Sequence, residues 1–331
     1  MRKIQQARKI LAIIIIAGLL LFARTGYLLV RPGSAENLTN FVSVDNGDKD
    51  HRGKFFLVTV SQQSASPVLL LYGLINPIID VQQRREAIPP NMDPEEYREL
   101  MQKWMQESQN LAKVIALRRH GIEVPIDSDG VEVVDVGDDS PAKEILQPGD
   151  VILSVDGREV LLAEDLVNQV QTRPIGEPVD LEILRDGQKK SVSISTTSHT
   201  EQPQKAAIRV LVQTLNWQPQ LPVEIEIEVG EITGPSAGMM FVLEILNQLD
   251  AGDLTGGKQI AGTGTINLQE EVGPIGGVRQ KVRASENAGA QYFLVPQENY
   301  EEAKTAARDI QLVPVTTLDE AMRFLNDIAD E

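Results

Sequence analysis

Residues 230–250 read GEITGPSAGMMFVLEILNQLD and place Ser236 directly before an apolar segment of helical length. Gly234 and Pro235 are turn residues, and nearly every residue from 239 to 246 is apolar, which predicts a buried helix. The N–H groups of a helix's first turn have no intrahelical partner and carry the positive end of the dipole. A nucleophile suits this position, because an oxyanion formed there would be stabilised. The alternative is that Ser236 serves only as the N-cap of a core helix.

Residues 234–238 also satisfy the pattern G-x-S-x-G of the nucleophile elbow, in which an acid and then a histidine follow the serine. That mechanism is excluded, because every histidine of the chain precedes Ser236 (His51, His120 and His199). The chain contains no cysteine, so thiol chemistry is excluded as well. The bases that remain after the serine are Lys258, Lys281 and Lys304.

Lys281 lies in the segment GGVRQKVRASENAGA, residues 276–290, which is predicted to be a helix. Lys281 falls on the small and apolar face of this helix. Burial lowers the pKa of a lysine, and a neutral amine can accept the proton of a serine near neutral pH. The alternative is that the side chain passes the core and ends in solvent. At about 100° per residue, the apolar face holds Val278, Val282, Ser285, Ala288 and Gly289, and the polar face holds Arg279, Gln280, Arg283, Glu286 and Asn287.

GPSAG at 234–238, followed by PIGGVRQK at 274–281, resembles the proteolytic domain of the Lon family (S16 type), whose serine–lysine dyad lies in these two motifs. The resemblance implies Ser236 as nucleophile, Lys281 as general base and Thr263 as the residue that hydrogen-bonds the lysine. It places the oxyanion at the serine turn. The turn residues of that motif are Gly234, Pro235, Ala237 and Gly238. The sequence departs from the family at residues 232–233, where Ile-Thr replaces the usual Lys-Asp; this bears on substrate positioning.

Residues 1–31 have the composition of a membrane-spanning segment. Four basic residues precede ILAIIIIAGLLLFA at 10–23, and apolar residues resume at 27–30. About 21 residues at 1.5 Å each would span a hydrocarbon core of about 30 Å. The positive-inside rule then predicts a single-pass protein of the cell membrane with a cytoplasmic N-terminus and extracytoplasmic C-terminal domains. A cleaved signal peptide is the alternative.

Residues 130–157 read GVEVVDVGDDSPAKEILQPGDVILSVDG, and residues 179–195 alternate around an Asp-Gly turn, as in a hairpin. The order and the phrases closely resemble a bacterial PDZ domain. The resemblance implies that a peptide adds as a strand along residues 130–136. The peptide-binding residues would be Gly130, Val131, Glu132 and Val133. The alternative is a spacer whose groove is closed or unused.

The predicted fold class is α+β: an N-terminal transmembrane helix followed by a Lon-type proteolytic domain with an inserted PDZ domain. Roughly 300 residues after the membrane segment are enough for two cores.

Asp93, Pro94 and two acidic residues predict the start of a helix, and Gly121 predicts its end. The predicted boundaries are 1–31 for the cytoplasmic tip and anchor, 32–52 for a tether, 53–122 and 205–331 for the protease domain, and 123–198 for the PDZ domain.

Charge and composition exclude several partner classes. The net charge is −17, which argues against nucleic acid. Three scattered histidines predict no metal site. The stretch GDLTGGK at 252–258 matches the phosphate-binding loop, but Gln259 stands where Ser or Thr should hold magnesium, and a strand is predicted where a helix should follow. We therefore expect no nucleotide and no cofactor.

The sequence as a whole predicts a membrane-anchored serine endopeptidase that works without ATP. We expect peptides or unfolded proteins as substrates, a PDZ domain for substrate recognition or regulation, and, by the resemblance, assembly into a homo-oligomer. The alternative is a membrane-tethered PDZ scaffold whose dyad is silent.

Overall fold

The computed structural model describes residues 18, 20–49, 51–89, 92–200, 202–250 and 252–329. It divides into two compact units, one formed by Met1–Gln102 with Ile225–Glu331 and the other by Lys103–Glu224. The domain boundaries given above remain a prediction, which this division does not decide.

The strands are β1 (Tyr27–Asn37), β2 (Val42–Val44), β3 (Lys54–Ser64), β4 (Asp80–Gln83), β5 (Val131–Val136), β6 (Val151–Val155), β7 (Arg158–Glu159), β8 (Pro178–Arg185), β9 (Gln188–Ser195), β10 (Thr197–Ser198), β11 (Ala206–Ala207), β12 (Val210–Thr214), β13 (Ile225–Ile227), β14 (Gln259–Gly262), β15 (Thr265–Ile266), β16 (Val272–Gly273), β17 (Tyr292–Pro296) and β18 (Gln311–Val315). The α-helices are α1 (Pro67–Ile75), α2 (Arg84–Ala87), α3 (Pro94–Arg119), α4 (Ala163–Gln171), α5 (Gly238–Leu249), α6 (Val278–Asn287), α7 (Tyr300–Lys304) and α8 (Leu318–Ala329). Two short 3-10 helices lie at Leu38–Asn40 and Gln297–Asn299.

The first unit is built on a six-stranded mixed sheet of order β18-β17-β14-β3-β1-β4. The neighbours from β18 to β3 are parallel, whereas β1 is antiparallel to both β3 and β4. Parallel neighbours need a crossover, and α6 and α7 supply it between β14, β17 and β18. The predicted α+β class is therefore wrong, because helices alternate with parallel strands in a mixed α/β arrangement.

The predicted transmembrane helix, and with it the single-pass membrane localisation, is also wrong. Within the described ranges, no helix is long and apolar enough to cross a membrane. Residues 20–22 are helical, but the apolar residues 27–30 belong to β1, where Leu29 and Val30 are buried in the sheet. Residues 1–17 and 19, on which much of the prediction rested, lie outside the described residues.

Within the stretch predicted as a tether, 32–52, the described residues include strand and a 3-10 helix. Residues 32–37 complete β1 and pair with β3, and Val42–Val44 pair with β13. Leu38, Val42 and Val44 are buried. The short apolar patch in this stretch packs onto the first unit because burying its side chains removes them from water.

Helix α5 lies at the centre of the first unit, as its apolar sequence predicts. All of its residues except Leu249 are buried. Its buried amide Gln248 is satisfied by β2, since Oε1 accepts from Val44 N at 3.1 Å and Nε2 donates to the Val42 carbonyl at 3.1 Å. This pairing fixes the helix that follows the serine against the N-terminal strands.

The second unit has a sheet of order β12-β5-β6-β8-β9, with β7 paired to β6. The predicted hairpin is present, and Asp186 and Gly187 both have positive φ at its two-residue turn, as such turns require. Residues 141–145, between β5 and β6, form a run of turns. Helix α3 begins and ends where the sequence predicted.

Candidate active site

Ser236 lies in the turn that leads into α5, and it does not cap that helix. The N-cap residue is Ala237, without a side-chain capping bond. Gly234 has a φ of +91°, which favours glycine, and its N–H donates to the carbonyl of Met101 in α3 at 3.0 Å. The Ser236 carbonyl accepts from Gly264 N at 2.8 Å. The turn is thus held from two sides, and the serine hydroxyl is available for another partner.

Lys281 reaches the same place from α6. The helix begins after Gly277, whose φ is +69°. A Cβ at Gly277 would lie 2.9 Å from Val60 Cγ1, so the start of the helix lies directly on the sheet. Lys281 is only 3% exposed, and burial lowers its pKa from 10.5 to about 7. The lysine therefore points into the core, as the helical pattern predicted, and does not extend into solvent.

The structure brings Ser236, Thr263 and Lys281 together. Lys281 Nζ lies 2.7 Å from Ser236 Oγ and 2.8 Å from Thr263 Oγ1. Thr263 Oγ1 donates its proton to the Ser236 carbonyl at 2.9 Å, so this hydroxyl can only accept from the lysine. A neutral amine that donates to Thr263 has its lone pair left for the proton of Ser236 Oγ. The geometry therefore suits proton transfer from serine to lysine.

The backbone of the turn limits which N–H groups could hold an oxyanion. The N–H of Gly234 is used by Met101, and the N–H of Gly238 donates to the Pro235 carbonyl at 3.3 Å. Pro235 has no N–H. Of the predicted turn residues, Ala237 keeps an N–H without a hydrogen bond to any described residue, and Ser236 does so as well.

Helix α6 departs from its predicted faces at two places. Gln280, predicted on the polar face, is fully buried and donates from Nε2 to the Ile78 carbonyl at 2.9 Å. Ala288 and Gly289, predicted on the apolar face, are exposed because the helix ends at Asn287. Sequence periodicity missed the burial of Gln280, because the residues that cover it come from a distant segment.

The predicted peptide-binding strand of the second unit has no free edge. β5 pairs with β6 on one side and with β12 on the other, and the β12 ladder includes Val131, Glu132 and Val133. Gly130 accepts from Leu215 N at 2.9 Å and continues the same ladder. A peptide therefore cannot add along residues 130–136 while β12 is in place. The alternating sequence of β12 predicts a strand, but it does not predict that the strand pairs with β5.

Among the residues that the structure describes, no group of three or more His, Cys, Asp or Glu side chains could hold a metal ion. The stretch resembling a phosphate-binding loop forms turns and leads into β14. Asp253 Oδ2 there accepts from the N–H groups of Arg52 and Gly53 at 3.2 and 3.4 Å, and Oδ1 from Thr255 N at 3.0 Å. The N–H groups of Arg52, Gly53 and Thr255 therefore donate to the carboxylate of Asp253.

Two family models match the chain. The PDZ domain matches residues 119–196, and the Lon protease (S16) C-terminal proteolytic domain matches residues 185–326, a range that contains Ser236, Thr263 and Lys281. The overlap, residues 185–196, includes β9, which belongs to the sheet of the second unit.

Curated relatives match in parts. The chain is 27% identical to a Lon protease of Trichlorobacter lovleyi over 33% of this chain and 14% of that protein, and 30% identical to a Lon protease of Chloroflexus aggregans over 31% and 13%. It is 37% identical to the "probable periplasmic serine endoprotease DegP-like" of Pseudomonas fluorescens over 25% and 17%. The alignments thus span about a sixth or less of each relative's length. Together, the matches show that the chain combines similarity to a PDZ domain with similarity to a Lon-type proteolytic domain.

Proposed function

We propose that this protein is a serine endopeptidase that uses a Ser236–Lys281 dyad. The observation that carries the proposal is the 2.7 Å distance between Lys281 Nζ and Ser236 Oγ, made by a lysine whose burial lowers its pKa to about 7. A base with a pKa near the working pH combines a large neutral fraction with a useful affinity for the proton. Ionisable groups with strongly shifted pKa values cluster at functional sites, which supports a chemical role for this lysine.

The proposed reaction has two halves. Ser236 Oγ attacks the carbonyl carbon of the substrate while its proton passes to Lys281 Nζ, and the N–H groups of Ser236 and Ala237 hold the oxyanion. Lys281 then gives the proton to the departing amine, which leaves an ester on Ser236. A water molecule loses a proton to Lys281 and attacks this ester. The bond between the ester carbon and Ser236 Oγ then breaks as Lys281 returns the proton to Oγ, which releases the acid product and restores Ser236. Thr263 keeps the amine oriented through both halves.

The proposed substrates are peptides and unfolded or flexible protein segments, cleaved without ATP. A polypeptide must be extended to bring one of its peptide bonds to Ser236, which is half-buried. ATP is not part of the proposal, because the stretch that resembles a phosphate-binding loop, 252–258, forms turns and leads into a strand. The PDZ domain would serve substrate recognition or regulation through surfaces other than β5. Assembly into a homo-oligomer remains part of the proposal.

The test is cleavage of an unfolded protein and a peptide mixture by the full chain, without nucleotide, beside Ser236→Ala and Lys281→Ala. New peptide termini are expected from the parent alone, because each variant lacks one reacting group. Cleavage that survives Ser236→Ala would show that another site or a contaminant is responsible. Absence of cleavage by the parent, while it binds peptide through the second unit, would favour the scaffold.

A further inference from the structure

The first turn of α6 is fastened to one short segment, residues 77–80. Arg279 donates from Nη1 to Asp80 Oδ1 at 3.0 Å and from Nη2 to the Pro77 carbonyl. Gln280, fully buried, donates from Nε2 to the Ile78 carbonyl at 2.9 Å. Three hydrogen bonds therefore join two neighbouring helix residues to three residues within one four-residue segment of another part of the chain.

The segment that receives these bonds is itself fixed. Asn76 accepts from the N–H of Ile78 through its side chain and from the N–H of Ile79 through its carbonyl, both at 3.1 Å. Asp80 is the first residue of β4 and pairs with Val30 of β1. The start of α6 is thus tied to the main sheet through a short turn and a strand.

Lys281 is the next residue along the helix, and its amine has little freedom. Nζ must remain 2.7 Å from one hydroxyl and 2.8 Å from another, at the end of a flexible four-carbon chain. The apolar contacts of Val278 and Val282 hold the helix on the sheet, but hydrophobic contact is not directional. Hydrogen bonds are directional, so the bonds of Arg279 and Gln280 fix how far α6 can slide or rotate.

We propose that Arg279 and Gln280 are positioning residues of the dyad, which hold Lys281 on Ser236 by clamping α6 to residues 77–80. The inference rests on the proposed function, because it assigns a role in the same reaction. Neither residue touches the reacting atoms, so each acts through the placement of the helix. A misplacement of about 1 Å can cost on the order of a hundredfold in rate.

Arg279 and Lys281 have different charged surroundings, so the pKa of Lys281 reports on the position of α6. Arg279 faces Asp80 and Glu302; burial raises the pKa of Glu302, Asp80 adds to this and Arg279 opposes it. Lys281 contacts the uncharged Ser236 and Thr263, and burial alone lowers its pKa. A helix that slips so that Lys281 meets water would therefore let the pKa of Lys281 rise.

The experiment follows phosphonylation of Ser236 by a fluorophosphonate reagent as a function of pH, with the full chain and Arg279→Lys. Lysine keeps the charge but cannot reach Asp80 and Pro77 together as the guanidinium does. We expect labelling to slow by about tenfold to a hundredfold and its pH midpoint to rise by about one unit.

The matched control is Arg283→Lys on the same helix. Arg283 binds Glu286 at 2.6 Å and the Ala306 carbonyl at 2.5 Å and does not contact residues 77–80, so labelling should stay within about twofold of the parent with an unchanged midpoint.

Arg279→Lys and Arg283→Lys giving the same rate and midpoint would overturn the positioning role. If thermal unfolding shows that Arg279→Lys is not folded, the labelling rate and its pH midpoint are measured for Gln280→Met instead. This variant removes the bond to the Ile78 carbonyl with little change in side-chain volume. A parent whose Ser236 is not labelled at any pH would overturn the proposed function, and the positioning role with it. A labelled parent with unaffected variants would overturn the positioning role alone.

Discussion

Thr263 and Lys281 share a hydrogen bond of 2.8 Å whose direction is set by a third group. The hydroxyl proton of Thr263 goes to the Ser236 carbonyl, which can only accept, so Thr263 accepts from the lysine. One side chain thereby holds both the backbone of the nucleophile and the amine of the base. The lone pair of a neutral Lys281 is left to face Ser236 Oγ.

Thr263→Val keeps the shape of the side chain and removes both of these bonds. We expect kcat for peptide cleavage to fall about a hundredfold, because the amine loses its orientation. Unfolding free energy should fall by only about 1 kcal/mol, since the Ser236 carbonyl keeps its bond from Gly264 N. Thr263→Ser, which retains the hydroxyl, is the control and should stay near the parent rate. Full activity in Thr263→Val would refute the role of Thr263.

Lys281→Met should change how stability depends on pH. The folded state holds the Lys281 proton less tightly than the unfolded state, so it binds fewer protons between about pH 7 and 10.5. The cost of the buried lysine is therefore fully present below about pH 7 and is relieved as pH rises. From denaturant unfolding, the stability advantage of Lys281→Met over the parent should be largest at pH 6. It should shrink by roughly 3 kcal/mol on going to pH 9. A difference independent of pH would contradict the lowered pKa.

Gly277→Ala should destabilise the protein more than Gly289→Ala. Both glycines have positive φ, +69° and +83°, so both variants bear the cost of a left-handed residue. A Cβ at Gly277 would also lie 2.9 Å from Val60 Cγ1, whereas a Cβ at Gly289 meets nothing within 4 Å. We expect an additional loss of about 1–3 kcal/mol at Gly277, measured by chemical denaturation. Equal losses would show that the helix start is not packed tightly on β3.

Backbone amides of β5 should exchange slowly without any peptide, because β12 already pairs with that strand. Thr214→Val removes the bond that Thr214 Oγ1 accepts from Ala163 N at 3.0 Å and its bond with Glu107. Deuterium uptake at residues 131–136 should then speed up about fivefold to thirtyfold. Thr172→Val, which loses one exposed 3.4 Å bond, is the control. Added peptide that slows exchange further at these residues in the parent would contradict the closed edge.

The meeting of Ser236, Thr263 and Lys281 was expected from sequence, because the resemblance of GPSAG and PIGGVRQK to the Lon proteolytic domain implied it. A buried helix follows the serine, and the helical period places Lys281 on the inner face. The limits of α3 were equally readable, since Asp93 and Pro94 begin the helix and Gly121 follows its end.

What sequence could not predict depended on distant partners. The apolar residues 27–30 have the same composition in a buried strand as in a membrane segment, and only their pairing with β3 and β4 decides between the two. The pairing of β5 with β12 joins Val131 to Thr214, and no local pattern encodes it. Gln280 is buried and bonded to the distant Ile78 carbonyl, although the helical pattern placed it on the polar face.

Phosphonylation of Ser236 in the parent and in Lys281→Met, compared across pH, tests whether neutral Lys281 takes the proton of Ser236. Labelling of the parent should rise with pH through a midpoint near 7, which is the lowered pKa of Lys281. Lys281→Met should react at least about a hundredfold more slowly and show no such midpoint. Labelling of Lys281→Met at the parent rate and with the parent midpoint would contradict proton transfer from Ser236 to Lys281.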